Sequence, residues 1–189
     1  MTTANLAEFV KLYNPKICLT LIFWQAKSPK ILNRNLRVKM EIIIRSAVEA
    51  EEADYPQIVD LFREFAEFEK LPERMTNSVD RMIKEKEFFN CFVAVTTDDR
   101  IIGYATYFFC YYTWTGKSLY MDDLYVQQEY RANGIGTKLI NRVIEFAKDS
   151  KCHKLRWQVS NWNKPAIDFY KSIGAVFDNI ERNCDLMLD

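Results

Sequence analysis

The chain has 189 residues, 49% of them hydrophobic and 14% aromatic, which is enough for one domain with a full core. Glycine and proline number only five each, which leaves little room for a flexible linker or a low-complexity tract. Net charge is zero but unevenly spread: residues 1–40 carry seven basic residues against one acid, and the remainder nineteen against twenty-five. An acidic body with a basic leader does not fit a nucleic-acid-binding domain and is better matched to a cationic small molecule.

The leader, residues 1–39, contains the apolar run Ile17–Trp24, broken only by Thr20 and too short to span a bilayer. Lys27, Pro29 and Lys30 follow it where a signal peptide would have small residues. A matrix-targeting peptide would share its scarcity of acids but would carry more arginines. The leader is expected to be a poorly ordered extension, with the domain running over residues 40–189 and no membrane partner. Five scattered cysteines (Cys18, Cys91, Cys110, Cys152, Cys184) form no Cys-x-x-Cys pair and read as reduced thiols in a cytoplasmic setting. His153 is the sole histidine, so no structural zinc ligand set is expected and no metal is called for.

Glu41–Ala47 predicts an opening strand. Asp54, an N-cap residue, and Pro56 open a helix with Ile58, Leu61, Phe62 and Phe65 on one face. Val79–Glu87 predicts a shorter helix. Cys91–Thr96 and Arg100–Tyr112 read as strands joined at Thr97-Asp98-Asp99, and Leu119–Val126 as the next strand. Gly136–Asp149 has Leu139, Ile140, Val143, Ile144 and Ala147 at helical spacing. Lys154–Val159 predicts a strand, Asn163 and Pro165 open a helix that Gly174 ends, and Cys184–Leu188 predicts a last strand. This order predicts an α+β architecture, a mixed sheet flanked by helices.

Between the strand ending at Val126 and the helix from Gly136 lies Tyr130-Arg131-Ala132-Asn133-Gly134-Ile135-Gly136-Thr137. A glycine turn at a helix N-terminus presents unpaired N–H groups and a favourable dipole to an anion, and Arg131 adds a fork of donors. It is not a Walker loop, and Leu139 stands where a dinucleotide fingerprint needs its third glycine. On the loop alone, a phosphate socket and an ordinary strand-to-helix turn are equally open.

The element order, with the Arg-x-x-Gly-x-Gly loop, resembles the GNAT superfamily of acetyl-CoA-dependent N-acetyltransferases. Tyr111–Lys117, Leu119–Val126 and Trp162–Tyr170 are further similar to the spermidine/spermine (diamine) acetyltransferases, including the thialysine branch. The resemblance implies a GNAT fold with a mostly antiparallel sheet. It implies that Arg131, Ala132, Asn133, Gly134, Ile135, Gly136 and Thr137 cradle the CoA pyrophosphate. It implies that the backbone of Leu124, Tyr125 and Val126 pairs with the pantetheine arm, and that Asn163, Lys164, Pro165, Ala166 and Tyr170 complete the donor site.

On its helical stripe with Ala166, Phe169 and Ile173, Tyr170 reads as a core aromatic; the resemblance reverses that and implies the general acid for the CoA thiolate. With ordinary values near 10 for phenol and 8.5 for thiol, that transfer is uphill by about 2 kcal/mol. Asp122 stands where the family usually has Glu and is the candidate for removing the ammonium proton, directly or through water. Asp123 is expected on the opposite sheet face unless a bulge intervenes. Phe68, Glu69, Arg156, Trp157 and Gln158 are the implied substrate contacts, and Arg182 departs from an acidic position of the family. The expected reaction is direct acetyl transfer, in a ternary complex, to a small cationic amine: a polyamine, a diamine or a thialysine-like amino acid. The alternatives are a protein or peptide N-acetyltransferase and a catalytically weak CoA-binding module. The family's homodimeric state is expected here too.

Overall fold

A computed structural model describes residues 41–47, 52–178, 184 and 186. The leader, Arg182 and all of the expected last strand but Cys184 and Leu186 lie outside the described residues. In chain order the elements are β1 (Ile42–Ser46), α1 (Tyr55–Phe68), α2 (Val79–Lys84), β2 (Asn90–Thr96), β3 (Ile101–Tyr112), β4 (Gly116–Val126), α3 (Ile135–Asp149), β5 (Lys154–Arg156) and α4 (Lys164–Ser172). The five strands form one sheet in sequential order, antiparallel from β1 to β4 and parallel between β4 and β5. This is the expected mixed sheet flanked by helices.

The sheet carries a core on each face, which is why β2 reads as an unbroken apolar run rather than an alternating one. Cys91, Val93 and Val95 pack with Ile58, Val59 and Leu61 of α1 and Met82 of α2. Phe92 and Ala94 face the other way, onto Leu139, Ile140 and Val143 of α3. Pro56 lies in the first turn of α1, but Asp54 does not cap it through its side chain. Its carboxylate instead accepts from Arg45, with Nη2 to Oδ1 at 2.9 Å, and so ties the helix start to β1.

Three boundaries differ from the sequence reading by three residues, the others by one at most. The helix expected over Val79–Glu87 ends at Lys84 and gives way to a 3-10 turn at Lys86–Phe88, because Met82 is its one buried side chain and the following Lys-Glu-Lys-Glu run has nothing to pack. Strand β4 begins at Gly116, three residues early, because Gly116 takes φ +80° and closes a tight hairpin with Tyr112 opposite it. Strand β5 ends at Arg156 rather than Val159. Its ladder to β4 runs from Ser118↔Lys154 to Tyr120↔Arg156 and stops. The cause lies in β4. On β3, Ala105 pairs with Leu124 and Tyr107 with Met121, so Thr106 alone opposes both Asp122 and Asp123. Such a bulge bends its strand and raises the local twist. The two parallel strands part at this point, and a cleft opens between them.

Candidate active site

The cleft has a volume of about 1540 Å³ and is walled by residues 122–126 of β4, the loop and first turn of α3, residues 154–161 and the inner face of α4. Sequence-predicted site residues converge on it: Phe68, Glu69, Asp122, Leu124, Tyr125, Val126, Arg131, Ala132, Gly134, Ile135, Gly136, Thr137, Arg156, Trp157, Gln158, Asn163, Pro165, Ala166 and Tyr170 all line it. Asn133 and Lys164 are not among the lining residues. The Asn133 amide donates to the carbonyls of Tyr130 and Arg131, both at 3.1 Å, and so shapes the loop from within. Lys164 pairs with Asp168 one turn along α4, at 2.6 Å.

The loop fits an anion. Its backbone turns through two left-handed positions, Ala132 at φ 60° and Gly134 at φ 75°. The first α3 bond runs from the Lys138 N–H to the Gly134 carbonyl at 3.0 Å, so the N–H groups of Ile135, Gly136 and Thr137 project from the helix end without an intrahelical acceptor. A Cβ on Gly134 would meet nothing within 4 Å, and one on Gly136 would meet only Val126 Cγ2 at 4.0 Å, so the glycines leave open space over those donors. Arg131 does not reach outward as a simple fork. Its Nε donates to the Val126 carbonyl at 2.8 Å, and its guanidinium stacks 4.5 Å from the Phe68 ring centroid and 5.3 Å from that of Tyr125.

The same bond shows which way β4 faces. The Gln127 N–H bonds Ile102 on β3, at 3.0 Å, while the Val126 carbonyl is turned out to Arg131. Antiparallel pairing alternates, so Leu124 shares the outward edge of Val126 and the backbone groups of Tyr125 turn back to β3. The unpaired edge past the bulge therefore presents Leu124 and Val126 to an extended ligand, and Tyr125 contributes packing.

The bulge also places acidic groups. Asp122 and Asp123 both face the junction between the cleft and a side cavity of about 400 Å³, and Glu69 and Phe65 share that junction. The Asp123 N–H donates to Thr106 Oγ1 at 3.1 Å, which holds the bulge in place. Both carboxyls are shifted up. Loss of hydration raises Asp122 above the ordinary carboxylate range. Burial pushes Asp123 to about 7, with further help from the charges of Asp122 and Glu69. Asp123 thus joins the site because the bulge overrides strand alternation.

Tyr170 is 6% exposed and packs edge-on to Trp157, with ring centroids 5.1 Å apart. Burial first, and then the Asp123 charge, push its phenol to about 12. It is both a core aromatic and a cleft residue, and it is protonated throughout the neutral range. Asn163 caps α4 by accepting from the Ala166 N–H at 3.3 Å, and this cap sets the helix that carries Tyr170.

The mouth is bridged. Ser160 Oγ donates to Glu69 Oε2 at 2.5 Å, and Trp162 packs on Phe68 at 5.4 Å. These contacts join the end of α1 to the segment after β5. Neither Ser160 nor Thr106 carried a signal in the sequence, since each is defined by a partner distant along the chain.

Residues 55–175 match the acetyltransferase (GNAT) family. The chain is 41% identical over 138 residues to the thialysine N-epsilon-acetyltransferase of Sus scrofa, covering 67% of this chain and 81% of that protein. It is 32% identical over 137 residues to the spermidine/spermine N(1)-acetyltransferase-like protein 1 of Homo sapiens, covering 67% of this chain and 20% of that one. Among solved structures, an aminoglycoside N-acetyltransferase in complex with CoA superposes with a TM-score of 0.60 at 15% identity, covering 79% of this chain and 95% of that one.

Proposed function

The chain belongs to the GNAT acetyltransferase family, and from that premise we propose that it transfers acetyl from acetyl-CoA to a primary amine of a small cationic acceptor by direct attack. The acceptor class favoured is a polyamine, a diamine or a thialysine-like amino acid, since thialysine and spermidine/spermine are the substrates in the relatives' names. The observation that carries this reading is the bulge at Asp122 and Asp123, which opens the donor cleft and puts two carboxylates at its junction with the acceptor cavity.

Each residue then has a physical task. The N–H groups of Ile135, Gly136 and Thr137 take the pyrophosphate at the positive end of α3. The outward edge of Leu124 and Val126 holds the pantetheine arm as an added strand, and the Leu124 N–H is the donor placed for the thioester oxygen. Acetyl-CoA supplies the activated acyl group. Glu69, Asp122 and Asp123 bind the incoming ammonium, and the aspartate pair accepts its proton, directly or through water. Moving a proton from an amine near 10.4 to a carboxylate near 3.9 is uphill by about 9 kcal/mol. To a carboxylate raised to about 7 it is uphill by about 5 kcal/mol. Burial of Asp123 therefore lowers the barrier to deprotonation. Tyr170 donates to the departing sulfur. A phenol at about 12 makes that step uphill by about 5 kcal/mol against an ordinary thiol, more than the 2 kcal/mol of the sequence reading. A thiolate formed against the buried Tyr170 loses part of its hydration too and is a stronger base than in water, which narrows the gap.

Phe68, Trp157 and Gln158 line the cleft rather than the side cavity and would meet the acceptor where it reaches the acetyl group, and Arg156 lies over Tyr112 at 5.8 Å. The Glu69–Ser160 and Phe68–Trp162 bridges narrow the mouth, which favours a small acceptor over a folded protein or a peptide. We place the catalytic unit in residues 40–189 and the protein in the cytoplasm, and among the described residues no helix is long and apolar enough to cross a membrane. A second copy of the chain is the occupant that suits the hairpin aromatics Phe109, Tyr111 and Trp114, which are 48%, 77% and 95% exposed. A monomer mass in gel filtration would remove the dimer.

The test of function is thiol release from acetyl-CoA with thialysine, putrescine, spermidine and a lysine-bearing peptide. Turnover with a free amine and none with the peptide is expected. Turnover with the peptide alone would overturn the small-amine reading, and CoA binding without any turnover would make the chain a binding module.

A further inference from the structure

One residue of the acceptor cavity has no task in the acetyl-transfer reading. Among the described residues that line the cavity are three carboxylates, of Glu69, Asp122 and Asp123, and one cation, Arg74. Arg74 is exposed and lies in the 3-10 turn Pro72–Arg74; its backbone N–H donates to the Leu71 carbonyl at 3.0 Å, and its guanidinium makes no ion pair or hydrogen bond among the described residues. A guanidinium that stands in a cavity with three carboxylates and binds none of them is free to take an anion from outside, in a bidentate fork. Asn77 lines the same cavity, and its side-chain oxygen accepts from the Ser78 N–H at 2.8 Å, which leaves its amide NH2 as a second donor.

The positions also sort along the cavity. Glu69, Asp122 and Asp123 line both cavity and cleft, whereas Arg74 and Asn77 line the cavity only. The carboxylates are therefore at the junction with the acetyl donor, and the arginine is set back from it. Leu71, Met75 and Phe89 add apolar wall suited to a methylene chain.

We propose that Arg74 selects the acceptor by receiving the α-carboxylate of an amino acid whose distal ammonium lies against Asp122 and Asp123. This rests on the small-amine acetyltransferase reading and deepens it. A plain diamine would put its second ammonium beside the guanidinium, so the same residue that attracts the amino acid repels the diamine.

The test compares thialysine with bis(2-aminoethyl) sulfide, the same molecule without its carboxylate, in wild type, Arg74→Gln and Arg74→Lys. Wild type favours thialysine. In Arg74→Gln the KM for thialysine rises about tenfold to a hundredfold while kcat holds, the sulfide diamine is used as well as before or better, and Arg74→Lys lies between. Equal use of both acceptors by wild type, or a loss in Arg74→Gln that is the same for both, would overturn the anchor and leave the acetyltransferase reading standing. No turnover with either amine, in protein that binds CoA, would overturn that reading and the anchor with it.

Discussion

Replacing Asp123 by asparagine tests the electrostatics of the bulge most directly. The carboxyl is pushed to about 7 by burial and by the charges of Asp122 and Glu69. If the aspartate pair must be ionised to accept the ammonium proton, kcat/KM of wild type rises with pH through about 7. One pH unit below that value about one molecule in eleven is competent, so the rate at pH 6 lies about tenfold under the plateau. In Asp123→Asn the side-chain amide accepts no proton, and the plateau falls about 10²-fold or more. The limb moves acidward as well, since the carboxyl that remains, Asp122, is raised by burial alone. Stability supplies an independent readout. Asp123 binds its proton more tightly in the folded protein than in the unfolded chain, so its contribution to stability is full below the ordinary carboxylate range and is lost as pH rises toward about 7. Asp123→Asn should therefore melt above wild type at pH 8 and level with it near pH 4. Wild-type kcat/KM that is flat from pH 5.5 to 7.5, or an Asp123→Asn plateau equal to wild type, would refute the reasoning.

Other perturbations separate the remaining parts. Tyr170→Phe should lower kcat by about 10²-fold while CoA affinity, followed by calorimetry, changes less than about twofold; unchanged kcat would take the phenol out of the reaction. Gly103→Ala would place a Cβ 2.8 Å from the Tyr125 carbonyl oxygen and 3.1 Å from Val126 Cγ2, in the β3–β4 ladder that supports the donor edge. Backbone cannot give way cheaply, so a loss of about 1–3 kcal/mol and a drop of several degrees in Tm are expected, and an unaltered melt would mean that the two strands slide apart. Ser160→Ala removes the hydrogen bond that holds Glu69 at the mouth, and KM for the amine should rise about threefold to tenfold with kcat nearly constant.

The fold was legible in the sequence because its strongest signals are local. The apolar stripe of α3, the Asn163 cap of α4 and the Gly134 turn each depend on residues within a few positions of one another. The loop and helix start that wall the cleft were legible for the same reason, since they are adjacent in the chain. The acceptor side was not. Asp123 was expected on the opposite sheet face unless a bulge intervened, and a single extra residue on β4 supplies that bulge, because strand faces alternate with period two and one extra residue shifts every side chain after it. Nothing local in Met121-Asp122-Asp123-Leu124 marks the bulge. Its partner, Thr106, lies on the neighbouring strand. The Glu69–Ser160 bond joins residues 91 positions apart, so its members are indistinguishable from solvated surface until the chain closes. The same bulge that hid Asp123 also ends the β4–β5 ladder at Tyr120↔Arg156 and so makes the cleft. The cleft and the proposed proton acceptor therefore have one structural cause, and restoring regular alternation there, by deleting Asp122 or Asp123, should remove both donor binding and the pH limb near 7 together.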